Sequence, residues 1–400
     1  MSTFESTVVR VAAKGDGVTQ DGRHVAFAAP GDLVLADGTV QPGPHHAVPP
    51  CRHFGRCGGC QLQHLDEAAL AGFVHDRVAL PAQALAPEVI APPHLSPPRT
   101  RRRATLHASA GLVGFRAAGS HSIVDMRECH VLAPELFATV APLRRMLSSR
   151  KGRSAADITL TLTDRGVDCA IKGITVEGLA ETEAMIDFAE GQGLARLTLD
   201  QGYGPETFRE PEPATVTLGG VKVDYPAGGF LQATVDGEAA LVAAAREWLG
   251  GPQPSPAMQV ADLFAGLGTF ALALAADGMK VLAVEAARDA HLACRAAVRR
   301  SGLLVEALHR DLFRNPLRAE ELARFDAVLL DPPRAGAREQ VAQLAASTVA
   351  RIVYISCNPA SWAKDAALLV AGGWRLAELR PVGQFRWSTH VELASLFVRA

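Results

Sequence analysis

The part of the sequence that most restricts the fold begins after Gly228, where short apolar runs alternate with stretches of helical periodicity. The predicted strands are 259–264, 281–285, 304–308, 325–330 and 351–355. The predicted helices include 236–249, 269–276 and 287–300. Apolar strands separated by helices are typical of a parallel sheet that is covered on both faces. We therefore predict an α/β fold with a Rossmann-like, mostly parallel sheet in the C-terminal part.

Two other regions precede this one. Residues 4–36 contain short apolar runs broken by Gly15-Asp16-Gly17 and Asp21-Gly22, which predict a small β-barrel. The proline-rich segment 41–50 indicates a linker, and residues 99–228 mix strand and helix patterns. We divide the chain into a small β-barrel (1–48), a central mixed α/β domain (49–228) and a C-terminal α/β domain (229–400).

The charge of the chain is unevenly distributed. The formal net charge is -2 and the pI is about 6.7, which weighs against a nucleic-acid partner because phosphate binding favours excess cations. Residues 95–154 are nevertheless basic. Their Arg and Lys residues are Arg99, Arg101, Arg102, Arg103, Arg116, Arg127, Arg144, Arg145, Arg150, Lys151 and Arg153. This segment could bind phosphates or form an ordinary solvated surface, and its composition leaves both interpretations open.

The sequence also bears on where the protein acts. The N-terminus lacks the pattern of a signal peptide, and no apolar run is long enough to span a bilayer. We therefore expect a cytoplasmic protein with no membrane partner. No obligate protein partner is evident, so we expect a monomer. In a reducing compartment, the seven cysteines indicate metal binding or catalysis before disulfides.

Glycine and acidic residues follow three successive predicted strands. The first strand runs into DLFAGLGT (262–269), whose glycines let the backbone pass close to a ligand. Only G-x-G is present, which disfavours a dinucleotide site. Glu285 ends the second strand and could bind both ribose hydroxyls, and Asp311 follows the third. Each acid alone is more often a helix cap or a surface charge, but their order and spacing predict the S-adenosylmethionine pocket of a class I methyltransferase.

Two further strands end in reactive side chains. One leads into Asp331-Pro332-Pro333-Arg334 and the other into Ser356-Cys357-Asn358-Pro359. Both loops should lie beside the cofactor, at the carboxyl edge of the sheet. Amino-group methyltransferases often carry a similar acidic or Asn-Pro-Pro loop, but they need no cysteine because their target nitrogen already has a lone pair.

A cysteine in this place points instead to C5 of uracil, which is a poor nucleophile. A thiolate added at C6 gives C5 carbanion character, so that C5 can attack the methyl sulfonium, and a base must then remove the C5 proton. Cys357 fits the nucleophile, and Glu392 in His390-Val391-Glu392 fits the base. The competing interpretations are a buried structural thiol for Cys357 and a surface charge for Glu392.

Three cysteines lie close together in the first part of the predicted central domain. Cys51, Cys57 and Cys60 form the pattern C-x5-C-G-G-C, and Cys129 is an isolated fourth candidate. Four thiolates can hold a 4Fe-4S cluster or a tetrahedral zinc ion. Gly58-Gly59 would let the chain wrap closely around a bulky group. The spacing alone does not separate the two.

Six segments resemble the bacterial RNA uracil-5-methyltransferases, in particular the iron–sulfur branch that acts on 23S ribosomal RNA. They are CRHFGRCGGCQLQHL (51–65), GFRAAGSHSIVDMRECHVL (114–132), DLFAGLGTF (262–270), LDPPRAG (330–336), ISCNPAS (355–361) and HVEL (390–393). The resemblance implies Cys357 as nucleophile and Glu392 as base. It implies a 4Fe-4S cluster on Cys51, Cys57, Cys60 and Cys129. Its S-adenosylmethionine contacts would fall on Gln232, Phe264, Thr269, Glu285, Asp311 and Asp331.

The chain departs from the family pattern at three places. Thr234 stands where the family often has Asn, and the second helix of the catalytic domain ends in Arg299-Arg300-Ser301-Gly302 instead of asparagines and a glycine. The N-terminal barrel, similar to the TRAM domain of these enzymes, is short, so RNA binding would depend on Arg99–Arg103. Three alternatives stay open: transfer RNA as the substrate, an amino-group methyltransferase, and a non-catalytic iron–sulfur protein that binds RNA.

Overall fold

The computed structural model of the protein describes residues 5–149, 155–250 and 258–399. Its strands are β1 (Ser6–Val11), β2 (Gly17–Thr19), β3 (His24–Val25), β4 (Leu33–Val34), β5 (Val40–Gln41), β6 (Val89–Ile90), β7 (His94–Leu95), β8 (Arg103–Ser109), β9 (Leu112–Gly114), β10 (Ala156–Thr163), β11 (Gly166–Lys172), β12 (Arg196–Asp200), β13 (Pro205–Arg209), β14 (Thr215–Leu218), β15 (Val221–Asp224), β16 (Gln259–Leu263), β17 (Lys280–Glu285), β18 (Val305–His309), β19 (Ala327–Leu330), β20 (Arg351–Ser356), β21 (Trp374–Gly383) and β22 (Glu392–Arg399).

The α-helices of the described residues are α1 (Glu67–Ala82), α2 (Pro134–Ala138), α3 (Val140–Ser149), α4 (Gly178–Gly191), α5 (Val235–Gly250), α6 (Thr269–Ala276), α7 (Arg288–Ser301), α8 (Ala319–Leu322), α9 (Arg338–Ala346) and α10 (Pro359–Ala371). No helix within these ranges combines the length and the apolar character that crossing a membrane requires.

A nine-stranded sheet organises the C-terminal part. Its hydrogen-bonded order is β18-β17-β16-β19-β20-β22-β21-β6, and β7 also pairs with β21. Neighbours from β18 to β20 are parallel, whereas β22 is antiparallel to both β20 and β21. Val328, Leu329 and Leu330 of β19 are all buried, as expected for a strand covered on both faces. The predicted α/β fold with a mostly parallel sheet is confirmed.

The segment from residue 62 to residue 95 packs against this sheet, which the sequence did not predict. β6 and β7 run parallel to β21 and pair with it. Helix α1 begins after Asp66, whose side chain accepts a hydrogen bond from the Ala69 amide at 2.8 Å. Phe73 and Val78 of α1 are buried in the same apolar core as β19 and β20. The chain that directly follows the clustered cysteines is therefore held on the C-terminal sheet.

A second, six-stranded sheet lies in the middle of the chain, in the order β13-β12-β11-β10-β8-β9. Only β11 and β12 are parallel neighbours. Ile158 and Leu160 alternate along β10 and are fully buried, and α2 and α4 pack against this sheet. The alternation explains why one face carries helices while the other can face the rest of the molecule. The mixed strand and helix pattern of the sequence thus corresponds to a mixed α/β layer.

The N-terminal strands form a five-stranded antiparallel sheet in the order β3-β2-β1-β4-β5. A register shift between Val8 and Arg10 marks a bulge, which bends β1. Val8, Ala28 and Val34 form its small core. Among the described residues, the strand pairings leave β3 and β5 at the edges, so this part is an open curled sheet where the sequence predicted a small β-barrel.

The arginines of the basic segment do not form one exposed surface. Arg102 is buried, and its guanidinium pairs with Glu238 of α5 at 2.5 Å. Arg144 pairs with Asp125 at 2.7 Å. Residues 150, 151 and 153, predicted as part of the basic segment, lie outside the described residues. The prediction of an RNA-binding cluster at Arg99–Arg103 is wrong for Arg102, because its charge neutralises a buried carboxylate.

Candidate active site

A cavity of about 1320 Å³ opens at the carboxyl ends of the parallel strands. Two catalytic and six cofactor-binding residues were predicted, and six of these eight line the cavity. They are Gln232, Phe264, Glu285, Asp331, Cys357 and Glu392. Gly58, Gly59 and Arg103 line it from the other side, so the cavity lies between the C-terminal sheet and the preceding part of the chain.

Cys357 and Glu392 meet because two neighbouring strands run in opposite directions. β20 ends directly before Cys357, and β22 begins at Glu392. Ser356 pairs with Leu393 in the antiparallel register, which places the two predicted catalytic residues at the same edge of the sheet. Asp331 follows β19, the neighbour of β20 on its other side. Three side chains that are far apart in sequence thus reach one cavity.

The loop that carries Cys357 is held by the beginning of α10. Asn358 is the N-cap of this helix, and its Oδ1 accepts a hydrogen bond from the Ala360 amide at 3.2 Å. Asn358 Nδ2 and Ser361 Oγ both donate to the Arg334 carbonyl at 3.0 Å, which ties this loop to the loop after β19. Cys357 therefore lies at a helix N-terminus, where the partial positive charge favours an anion.

Three acidic groups share the cavity. Burial and the carboxyl groups of Glu392 and Asp331 raise the pKa of the Cys357 thiol to about 11. Burial raises the pKa of Glu392 to about 7, and a hydrogen bond from Gln384 opposes this rise. Burial, together with Glu392 and Asp262, raises the pKa of Asp331 well above its ordinary value. The site therefore disfavours several negative charges at once and favours a positively charged ligand.

The glycine turn between β16 and α6 faces Glu285. The φ angles of Phe264, Gly266 and Gly268 are 63°, 56° and 91°. A Cβ at Gly268 would lie 2.9 Å from Cys294 Sγ, so both the conformation and the space demand glycine there. Glu285 accepts backbone hydrogen bonds at 2.8 Å from Gly266 and at 2.6 Å from residue 287. These bonds hold the Glu285 carboxylate beside the turn.

Thr269 and Asp311 are not among the residues that line the cavity. Thr269 is the first residue of α6. Asp311 Oδ1 accepts a hydrogen bond from the Phe313 amide at 2.9 Å, so this carboxylate caps its own turn. Leu312 and Phe313 of that turn do line the cavity. The predicted cofactor contacts of Thr269 and Asp311 stay predictions.

Gln384 connects the predicted site residues and was missed by the sequence reasoning. Gln384 Nε2 donates to Gln232 Oε1 at 2.7 Å, and Gln232 Nε2 donates to Asp331 Oδ2 at 3.1 Å. Gln384 Oε1 accepts a hydrogen bond from the Ala233 amide at 2.9 Å. No recognised motif contains Gln384. The sequence shows it only as one glutamine between an apolar strand and the HVEL segment, which does not distinguish it from other glutamines.

The four clustered cysteines surround a second, smaller cavity. Cys51, Cys57, Cys60 and Cys129 all line it, together with apolar side chains that include Phe115. A Cβ at Gly59 would lie 3.1 Å from the Phe115 ring and 3.5 Å from Cys57 Sγ. Glycine at this position therefore lets the backbone pass close to Phe115 and Cys57. In the described part of the chain, no group of three or more His, Cys, Asp or Glu residues could hold a metal ion.

The fold has a counterpart among solved structures. The tRNA (uracil-54, C5)-methyltransferase of Pyrococcus abyssi, solved with S-adenosyl-L-homocysteine, matches with a TM-score of 0.75. The match covers 99% of this chain and 100% of that chain at 22% sequence identity, which shows a shared fold. The chain therefore has the fold of that methyltransferase, with its cavity at the carboxyl edge of the sheet.

Comparison with sequence relatives identifies the family of the chain. Residues 232–400 match the family model of the tRNA (uracil-5-)-methyltransferases. An uncharacterized RNA methyltransferase of Zymomonas mobilis is 48% identical over 98% of this chain and 99% of its own length. The 23S rRNA (uracil(1939)-C(5))-methyltransferase RlmD of Shewanella denitrificans is 32% identical over 89% of this chain and 84% of its own length. The chain belongs to the RNA uracil-5-methyltransferase family, as its motifs predicted.

Proposed function

We propose that the chain transfers a methyl group from S-adenosylmethionine to C5 of a uridine in RNA, with Cys357 as nucleophile and Glu392 as base. The observation that carries this proposal is the convergence of Cys357, Asp331 and Glu392 in the cavity that Glu285 and the glycine turn also line. A methyltransferase acting on an amino group has no need of a thiol and a separate base at this place.

In the proposed reaction, Cys357 and Glu392 act in different steps. The Cys357 thiolate adds to C6 of the uracil ring, and the electron pair moves to form an enolate that makes C5 nucleophilic. C5 takes the methyl group from the sulfonium and releases S-adenosylhomocysteine. Glu392 then removes the C5 proton, and the electron pair restores the C5–C6 double bond while the thiolate leaves. A pKa of about 7 suits Glu392 for this step near neutral pH.

Ionisation of Cys357 requires compensating positive charge. Its pKa is raised to about 11 by burial and two carboxyl groups, while Arg334 has the opposite effect. The sulfonium of S-adenosylmethionine brings a further positive charge into the same cavity. We therefore propose that the thiolate forms after the methyl donor binds, which would protect the thiol from side reactions in its absence.

We propose 23S ribosomal RNA as the substrate. The relative from Shewanella denitrificans is named for that RNA and aligns with most of this chain. The structure from Pyrococcus abyssi is named for tRNA, but at 22% sequence identity the match supports only a shared fold and not a shared substrate. The cytoplasmic location and the monomeric state are predictions from the sequence.

We propose that the RNA enters between the central part (49–228) and the catalytic part (229–400). Arg101, Arg103, Arg116 and Arg334 line the cavity from both parts. Unlike Arg102, none of these four forms an ion pair with another described residue, so no carboxylate neutralises their charges. Arg101 lies over the Phe385 ring, so we propose that Arg103, Arg116 and Arg334 contact the phosphates. Residues 62–95 belong to the catalytic part by packing, although they precede it in sequence.

We propose that Cys51, Cys57, Cys60 and Cys129 hold a 4Fe-4S cluster. A single zinc ion needs every sulfur within about 2.3 Å of one point, and a cluster accepts sulfurs that lie farther apart. What supports the cluster is that all four cysteines line one cavity, together with the resemblance of their spacing to the iron–sulfur branch of the family. Bound there, it would tie Cys129 to the loop that carries the other three cysteines.

The proposed 4Fe-4S cluster is tested by measuring the iron and sulfide content of the purified protein. Protein purified without oxygen should contain iron and acid-labile sulfide in equal amounts, and Cys51→Ser should lose both. We also expect Cys51→Ser to lower stability and RNA affinity more than S-adenosylmethionine affinity. Zinc without sulfide, or normal iron content in the variant, would refute the proposal.

The function is tested with unmodified ribosomal and transfer RNA and methyl-labelled S-adenosylmethionine, followed by digestion to nucleosides and mass spectrometry. We expect labelled 5-methyluridine in ribosomal RNA and its loss in Cys357→Ala. Cys169→Ala is the matched control, because Cys169 is buried in β11 away from the cavity. Label on an amino group, or label that survives Cys357→Ala, would contradict the proposed chemistry.

A further inference from the structure

Gln384 is almost completely buried at the end of β21, with 1% of its surface exposed. A buried carboxamide is costly unless its N–H and C=O groups are bonded. Its side chain lies between Gln232, which contacts Asp331, and Glu392, the base of the proposed reaction. It therefore touches both halves of the catalytic constellation.

The hydrogen bonds permit only one orientation of this amide. The Ala233 backbone N–H can only donate, so the atom of Gln384 that faces it must be Oε1. Gln384 Nε2 must then donate to Gln232 Oε1, which in turn directs Gln232 Nε2 at Asp331. Rotating any one amide by 180° would set two donors or two acceptors against each other. A backbone amide thus determines the direction of every donor along this chain of side chains.

Helix α5 independently shows that room is kept for Gln384. A Cβ at Gly237 would lie 2.6 Å from Gln384 Cβ and 3.0 Å from Gln384 Oε1. Gly237 lies within α5 and does not have a positive φ, so its backbone conformation does not require glycine. Glycine weakens a helix, and its presence in the first turns of α5 is explained by the close approach of Gln384 and of Thr234, whose Oγ1 would lie 2.7 Å from that Cβ.

We propose that Gln384 is a positioning residue of the methylation reaction, which orients the Glu392 carboxylate toward the uracil ring and holds the Gln232 carboxamide against Asp331. The inference rests on the proposed function. Gln384 Nε2 carries a second N–H besides the one that Gln232 accepts, and we assign this donor to the Glu392 carboxylate, whose pKa Gln384 lowers. The same contact favours the ionised form of Glu392, so that the base is ready when the methyl group has been transferred.

The test replaces Gln384 by Met, which has a similar volume and no hydrogen-bonding amide. The control is Gln340→Met. Gln340 is equally buried and bonds both backbone groups of Leu317 at 2.8 and 3.0 Å, but it does not line the cavity. RNA methylation, the covalent enzyme–RNA adduct on denaturing gels and the pH dependence of turnover are measured for both variants.

In Q384M we expect turnover to fall about 10- to 100-fold, because a hydrogen bond to a charged group is lost. The methylated adduct should accumulate, since proton removal becomes slow. The loss of the bond to Gln232 should raise the KM for S-adenosylmethionine by a smaller factor than turnover falls. The pH midpoint of turnover should move upward. Gln384→Glu keeps the acceptor for the Ala233 amide but adds a carboxylate beside Glu392, so its midpoint should move upward further. Q340M should retain the wild-type midpoint and show no accumulated adduct.

Three results would overturn the inference. Unchanged turnover and midpoint in Q384M would do so, as would equal losses in Q384M and Q340M. A decrease in adduct formation together with S-adenosylmethionine binding would indicate general damage instead of misplaced Glu392. Wild-type enzyme that methylates RNA without any covalent adduct would instead overturn the proposed function itself, which separates the two failures.

Discussion

At the scale of single residues, the acidity of the site depends on neighbours and not on residue type. Cys357 and Glu392 are both displaced toward their neutral forms, with pKa values of about 11 and about 7, because they are buried together with Asp331. Each negative charge in the cavity raises the free energy of the next. This coupling makes the thiol of Cys357 a direct probe of the charge on Glu392.

We expect Glu392→Gln to accelerate alkylation of Cys357 by iodoacetamide. Between pH 7 and pH 11 Glu392 is ionised and Cys357 is protonated, so removing the carboxylate charge lowers the pKa of the thiol and increases the thiolate fraction. Mass spectrometry of the Cys357 peptide over this pH range measures the rate. Glu306→Gln, which removes an exposed carboxylate from β18, is the control. Identical pH profiles for wild type and Glu392→Gln would contradict the prediction.

At the scale of elements, the turn between β16 and α6 combines backbone strain with close packing. Gly266 and Gly268 both have positive φ, but only at Gly268 does another side chain occupy the place of a Cβ. Cys294 Sγ would lie 2.9 Å away and Leu272 Cγ 3.2 Å away. The two glycines of one motif therefore serve different purposes: Gly266 meets the Glu285 carboxylate, and Gly268 lets α6 and α7 approach each other.

This difference predicts unequal effects of two alanine substitutions. Gly266→Ala should lower the free energy of unfolding by about 1–2 kcal/mol, the cost of a left-handed conformation. Gly268→Ala should lower it by about 2–5 kcal/mol, because a steric clash adds to that strain. Denaturant unfolding of both variants measures the difference. Equal decreases in the free energy of unfolding would show that a clash with Cys294 does not contribute to the effect of Gly268→Ala.

At the scale of the whole molecule, both parts of the chain line the cavity, and the C-terminal part supplies the larger share. The catalytic part contributes the acids and the thiol, and the preceding part contributes Arg101, Arg103 and Arg116. The formal net charge of -2 therefore conceals a positive side of the cavity. The ion pair between Arg102 and Glu238 joins the two parts beside it.

We expect Arg103→Ala and Arg116→Ala to weaken RNA binding and to reduce the salt dependence of binding by about one counterion each. Arg299→Ala, at an exposed position of α7 outside the cavity, should leave both unchanged. Arg102→Ala should instead destabilise the fold by about 3–5 kcal/mol, since it leaves Glu238 buried without a partner. Binding measured at several salt concentrations, with thermal unfolding alongside, separates these effects. A salt dependence unchanged in Arg103→Ala and Arg116→Ala would refute the proposed RNA path.

The sequence alone was sufficient for the α/β sheet and for most of its edge residues. Apolar strands such as Val328–Leu330 have a local signature, and a residue that follows such a strand must lie at its carboxyl edge. The sequence therefore predicted correctly that Glu285, Asp331 and Cys357 lie at the carboxyl edge of the sheet. Gln232 came only from resemblance, because nothing in its local pattern distinguishes it.

Only the tertiary structure decided which side chains meet across strands and which arginines stay free. The antiparallel direction of β22 brings Glu392 to Cys357, and the fold places Gln384 between Gln232 and Glu392. Arg102 looks the same as its neighbours in sequence, yet its burial against Glu238 keeps it out of the lining of the cavity. Local periodicity specifies elements because it depends on residues one turn or one strand apart. Contacts between distant elements depend on packing that no short pattern encodes.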